Sequence, residues 1–148
     1  MISRKIRAIL DAQKNSGRIA SVVYQPPAKA NVDLSSAAAP MAVFFVTTEG
    51  SIDIAGQAMR ESARVQVAFV TRAADMSVDG VTNDGILEGL RPIVADFIAR
   101  LRQERTLAMP DTIPYRVLYQ YDDTNTTGYL LDFTAAEKQG DCIAYTIE

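Results

Sequence analysis

Histidine is absent from all 148 residues. Its absence removes the commonest general base, the Ser-His and Cys-His nucleophile pairs, and the usual imidazole ligand of zinc or iron. Cys142 is the only cysteine. It lies in GDCIAYTIE with no cationic neighbour to hold a thiolate, so it reads as a packed, inert thiol, and one chain can form neither an internal disulfide nor a thiolate metal cluster. Oxygen ligands are the remaining route to a metal. Asp123-Thr124-Asn125-Thr126-Thr127-Gly128 places oxygen side chains at alternate positions before a glycine, as a calcium loop does. Its twelfth position is Thr134, where a bidentate Glu is needed, and its flanks have strand character, so the segment reads as a hairpin turn.

The carboxylate pairs Asp75 with Asp79, and Asp122 with Asp123, stand beside turn-forming residues and read as solvated turns rather than magnesium sites. Gly80, Gly85 and Gly89 form neither a GxGxxG nor a GxxxxGK phosphate cradle. Gly85 and Gly89, four apart, instead suit close approach of a helix to a sheet. No residue is therefore assigned a catalytic, cofactor-binding or metal-binding role, no cofactor is implied, and the chain is read as not an enzyme. Tyr115, Tyr119, Tyr121 and Tyr129 gather in one region. They read either as an interface, where tyrosine is enriched, or as sheet packing.

The elements that hold these residues follow from apolar spacing. Ile2, Ile6, Ile9 and Leu10 form a helical stripe, predicting a helix from about Ser3 to Asn15 with Ser3 as cap and Gly17 as stop. Ile19 to Gln25 is a strand that ends at Pro26-Pro27, and residues 28–39 form a small, polar surface loop. Met41 to Thr48 is a buried strand. Glu49-Gly50 then makes a tight turn into a hairpin partner carrying Ile52 and Ile54. Arg64 to Thr71 alternates Val65, Val67 and Phe69 inward, with residues 57–62 as its water-facing approach.

After a loop over 73–81, capped by Thr82 or Asn83, the stripe Ile86, Leu87, Leu90, Ile93, Val94, Phe97, Ile98 and Leu101 predicts a second helix, kinked or broken at Pro92. Tyr115 to Tyr121 and Tyr129 to Thr134 read as an antiparallel hairpin about the turn 122–128, and residues 142–147 as an edge strand. The order lacks regular strand–helix alternation. It predicts a single α+β domain over 1–148, with a mostly antiparallel or mixed sheet of about five to seven strands and two helices packed on one face.

Composition bounds the function. A hydrophobic fraction of 48% with 22% charged residues fits a globular protein, and no apolar run approaches a membrane span. Arg4, Lys5 and Arg7 interrupt the N-terminal apolar residues, which argues against a secretory signal and for a cytoplasmic protein. A net charge of −3 argues against nucleic acid as partner. The charge is polarised: residues 1–18 balance to +4 and residues 111–148 to −5. That arrangement suits head-to-tail subunit contacts, or simply two solvated faces.

From about Ser62 onward the chain resembles small phage and prophage tail-region proteins of the tail terminator, tail completion or head-tail joining kind. The residues that carry the resemblance are VQVAFVTRAAD (65–75), VTNDGILEGLRPIVADFIARL (81–101) and YRVLYQYDDTNTTGYLLDFTAAEKQGDCI (115–143). The N-terminal half matches only in its order of elements, and the loop between Pro26 and Pro40 has no counterpart. The resemblance implies a virion structural protein that caps or joins a tail tube, usually as a ring, with itself and other tail proteins as partners and no membrane. Two other classes stay open. One is an α+β module holding a small molecule or peptide under loop 28–39; the other is an enzyme using carboxylates and tyrosines alone.

Overall fold

The structure, a computed structural model, describes residues 1–26, 37–72, 80–121 and 126–142. Among these residues it is an α+β fold with two helices and one mixed sheet. In chain order the elements are α1 (Ile2–Asn15), β1 (Ser21–Gln25), β2 (Met41–Phe45), β3 (Gly50–Ala55), β4 (Ala58–Arg72), α2 (Gly80–Gln103), β5 (Leu107–Ala108), β6 (Tyr115–Tyr121), β7 (Thr126–Glu137) and β8 (Asp141–Cys142). Eight strands join the sheet, two of them only two residues long, so the larger strands fall within the five to seven read from sequence. The β1–β2 pair is parallel and every other pair is antiparallel.

Alternation along the central strands divides the apolar residues between two faces. On one face Ala42, Phe44, Val65, Val67, Phe69, Leu131, Phe133 and Ala135 pack against Ile2, Ile6, Ile9 and Leu10 of α1, and against Leu90, Ile93, Phe97 and Leu101 of α2. Both helices therefore lie on the same face. The rings of Phe69 and Phe97 meet at 5.1 Å between centroids, across the sheet–helix boundary. On the other face Val23, Met41, Val43, Phe45, Ala68, Val70 and Leu130 form a second cluster, with Ala37, Ala39 and Leu118 against it. The continuous apolar run MAVFF follows: all five residues of β2 are buried, since both faces of that strand are covered.

Helix α1 ends in a left-handed glycine, as Gly17 (φ +82°) lets Arg18 N–H reach the Gln13 carbonyl at 3.0 Å and Gly17 N–H reach that of Lys14 at 3.0 Å. Its start differs from the sequence reading. Ser3 lies within the helix and no side chain caps it locally. Instead Glu61 of β4 accepts the Ile2 N–H at 2.9 Å, so a distant carboxylate serves the first helical donor and complements the positive end of the helix dipole.

Other local readings are corrected. Helix α2 starts at Gly80, which puts Thr82 and Asn83 inside its first turn rather than before it, and it runs unbroken through Pro92. Pro92 costs one backbone bond, and the Leu90–Ile93–Phe97–Leu101 stripe buried on both sides of it outweighs that loss. Gly85 and Gly89 face open space, since a Cβ at either position would meet nothing within 4 Å. The close approach occurs at Gly128, where a Cβ would collide with the Phe69 carbonyl of β4.

Glu49-Gly50 is not a hairpin turn. β2 pairs with residues 67–70 of β4 and β3 with residues 58–63 on the same side, so β2 and β3 run end to end beside one long strand. The tight turn is Gly56-Gln57, with Gly56 at φ +62° between the paired Ala55 and Ala58. Residues 57–62 are accordingly strand rather than approach. β5 has no apolar pattern long enough to announce it, and it is placed by pairing with Ala136 and Glu137 of β7.

Candidate functional site

β4 organises the surfaces open to partners. Its second half, from Val65 to Val70, lies between β2 and β7 under the helices. Its first half pairs with β3 and forms a hairpin arm. Within the arm Ala63 is buried on the helix side and stands opposite Gly50, so the pleat puts Gly50, Ile52 and Ile54 on that same side. No helix reaches the isoleucines: Ile52 is 59% and Ile54 72% exposed. Asp53, between them, points to the other side, directly across from Arg60. The rule that alternating apolar residues mark a core face fails here, because the arm extends beyond the layer that would cover it.

On the face away from the helices a polar cluster joins the arm to the body. Arg64 makes a two-pronged contact with Asp132, Nε to Oδ1 at 2.9 Å and Nη2 to Oδ2 at 2.6 Å, and its Nη1 reaches Glu49 Oε1 at 2.7 Å. Gln66 Nε2 adds a bond to Asp132 Oδ2 at 3.3 Å. The hydrogen bond from Arg64 is the main cause holding the Asp132 carboxyl below its ordinary value, against the opposing effect of burial. Arg64 in turn is raised, first by its bond to Asp132 and then by that to Glu49. The cluster fixes the point where β2 gives way to β3. It is an orienting network.

A second network is internal. Gln13 of α1 is fully buried and donates from Nε2 to the Ile93 carbonyl at 3.1 Å and to Asp96 Oδ2 at 2.9 Å. Burial pushes the Asp96 carboxyl up, but hydrogen bonds from Arg100 (2.8 Å) and Gln13 outweigh it and hold the carboxyl low. These contacts fasten one helix to the other and leave Gln13 Oε1 without a partner. Sequence gave no sign of this network, because a glutamine on an apolar helix stripe looks like surface.

At the opposite side of the sheet β6 carries the tyrosine cluster. Tyr115 and Tyr129 meet edge to face at 5.4 Å on neighbouring strands, yet Tyr115 stays 60% exposed, so the pair serves both packing and surface. The side chains of Tyr119 and Tyr121 lie outside the described residues. So do Asp75, Asp79, Asp122 and Asp123, the side chain of Cys142 and residues 28–36 of the loop, whereas Ala37 and Ala39 at its end are half-buried against the second apolar cluster. The latter part of the calcium-like segment is described and is strand: Thr126 and Thr127 are fully buried, and Gly128 pairs with Val70. Among the described residues no three Asp, Glu or Cys side chains converge on a metal position.

The basic N-terminal residues are partly used within the fold. Arg7 stacks its guanidinium over the Tyr24 ring at 4.6 Å, and Tyr24 in turn lies 5.0 Å from Phe44. Among the described residues no helix is long and apolar enough to cross a membrane. Compared with models of known protein families and with curated proteins, the chain matches none.

Proposed function

We propose that this chain is a structural subunit of a phage or prophage particle, similar to a tail terminator or head-tail joining protein, which works by assembling with copies of itself and with other tail proteins. On this reading it is made in the host cytoplasm and carried into the virion. The observation that supports it most directly is the β3–β4 arm, which holds Ile52 and Ile54 in water on one side of an edge strand. Exposed, flat, apolar edges are avoided in monomers because they pair with other chains. The sequence resemblance over residues 65–143 supplies the class of particle.

The described concavities favour a surface over a ligand chamber. A groove of about 450 Å³ beside Thr47–Ile52 and Glu61–Ala63 is wide open to solvent, and a cleft between Ile98, Leu101 and Met109–Ile113 holds about 150 Å³. The latter is well under the ~300 Å³ at which small-molecule pockets begin. Light scattering coupled to size exclusion, followed by electron microscopy with tail tubes, tests the reading. Oligomers, in solution or at tube ends, are expected. A protein that stays monomeric at high concentration and ignores tubes would remove it.

A further inference from the structure

The two outer edges of the antiparallel part of the sheet fit each other. In the order β3-β4-β7-β6 strand direction alternates at every step. A β3 edge laid beside the β6 edge of another copy therefore continues the alternation, with the helices of both copies on the same face. Among the described residues β3 pairs only with β4 and β6 only with β7, so each presents a row of backbone donors and acceptors outward.

The side chains select one register. On β3, Ile52 and Ile54 face the helix side and Asp53 the other. On β6, Tyr115 and Val117 stand opposite Leu131 and Tyr129, on the helix side, while Arg116 faces away. Setting Asp53 against Arg116 in an antiparallel ladder places Ile52 opposite Val117 and Ile54 opposite Tyr115. Apolar then meets apolar on one face and opposite charges meet on the other. A slip of one residue turns every β3 side chain to the wrong face. A slip of two sets Asp53 against Leu118 or against Pro114, and either leaves its carboxylate with no cation opposite. Asp53 and Arg116 are both exposed, and neither closes an ion pair among the described residues.

We propose that β3 of one copy adds to β6 of the next, head to tail, in the Asp53–Arg116 register; this rests on the self-assembly reading above. The geometry carries a stagger. Asp53 is level with Arg60 and Arg116, through Leu130, with Ala68. Those two positions on β4 are about 26 Å apart at 3.3 Å per residue. Strands tilted to the symmetry axis absorb such an offset in a closed ring, as shear does in a barrel, and untilted strands turn it into a helical array.

The test uses the full chain with Cys142→Ser and the pair Ile54→Cys, Tyr115→Cys. Mild oxidation should give a ladder of disulfide-linked oligomers on a non-reducing gel. The control pair Ile54→Cys, Arg116→Cys puts the thiols on opposite faces and should give none. Independently, Asp53→Arg or Arg116→Asp alone should weaken association about fivefold, and the double exchange should restore it, in line with a cross-strand charge pair. Circular dichroism verifies that each variant is folded. Wild-type oligomers with no ladder and no rescue would overturn this interface while leaving self-assembly standing. A wild type that is monomeric at every concentration would overturn both.

Discussion

The two halves of β4 obey the same alternation and meet different fates. From Val65 to Val70 every second residue enters the helix-covered core, and the residues between them enter the second cluster or the Arg64–Asp132 face. From Ala58 to Ser62 the strand has the same pleat and a partner of its own, yet the apolar residues on that partner remain in water. The difference lies in what covers the strand. Strand pairing propagates a surface without burying it, and only the helices and the segment ahead of β2 convert that surface into a core. The covered half should therefore answer to stability measurements, and the arm to measurements of association.

The largest expected effect is in the covered half. Phe97→Ala removes a fully buried ring that meets Phe69, and should cost about 3–5 kcal/mol, read as a lower urea midpoint at unchanged slope. Gly128→Ala comes next. Its new methyl has nowhere to go except into the Phe69 carbonyl, which belongs to backbone paired on both sides, so about 1–3 kcal/mol is expected from the forced shift between β4 and β7. A neutral Gly128→Ala would mean that the two strands are less closely held than their ladder implies.

How far the sequence announced this division depends on which residues carry it. The stripes of α1 and α2, the buried run of β2 and the β6–β7 hairpin were all legible, because each is a local period whose core face is filled. The arm was not. Ile52 and Ile54 have the period of a half-buried strand, and nothing local says that the covering layer stops short of them. The choice of β4 over β2 as their partner depends on Gly56-Gln57 rather than Glu49-Gly50, two glycine-containing turns that propensity ranks alike. Glu61 capping α1 and Gln13 reaching Asp96 join residues 59 and 83 positions apart, contacts to which no window of sequence is sensitive. The surfaces proposed above for assembly were legible as residue types, in the tyrosines of β6, but not as edges.

The arm should show the reverse response. Ile54→Ser leaves no cavity, since the side chain is 72% exposed, and should move the unfolding midpoint by no more than about 0.5 kcal/mol. The same change should weaken any self-association measured by sedimentation. A loss of stability comparable to that of Phe97→Ala would erase the distinction between the halves, because it would mean that the isoleucine is buried in the folded monomer after all.

The smallest effect tests the joint between the two halves. Asp132 is held below its ordinary value near 3.8, mainly by the hydrogen bond from Arg64, so its charged form is favoured by folding. Its stabilisation is therefore full above the unfolded value and is lost as pH falls through the lower folded one. With the Arg64 side chain 45% and that of Asp132 23% exposed, solvent screens the pair and the effect stays small. Asp132→Asn should therefore be slightly less stable than wild type at pH 7, and the gap should close as the pH drops below 3.8 toward the depressed titration point. Thermal melts of both proteins across that range measure the closure. A gap that stayed constant with pH would show that Asp132 acts through its shape and neutral hydrogen bonds, and that the arm is anchored by the β3–β4 ladder alone.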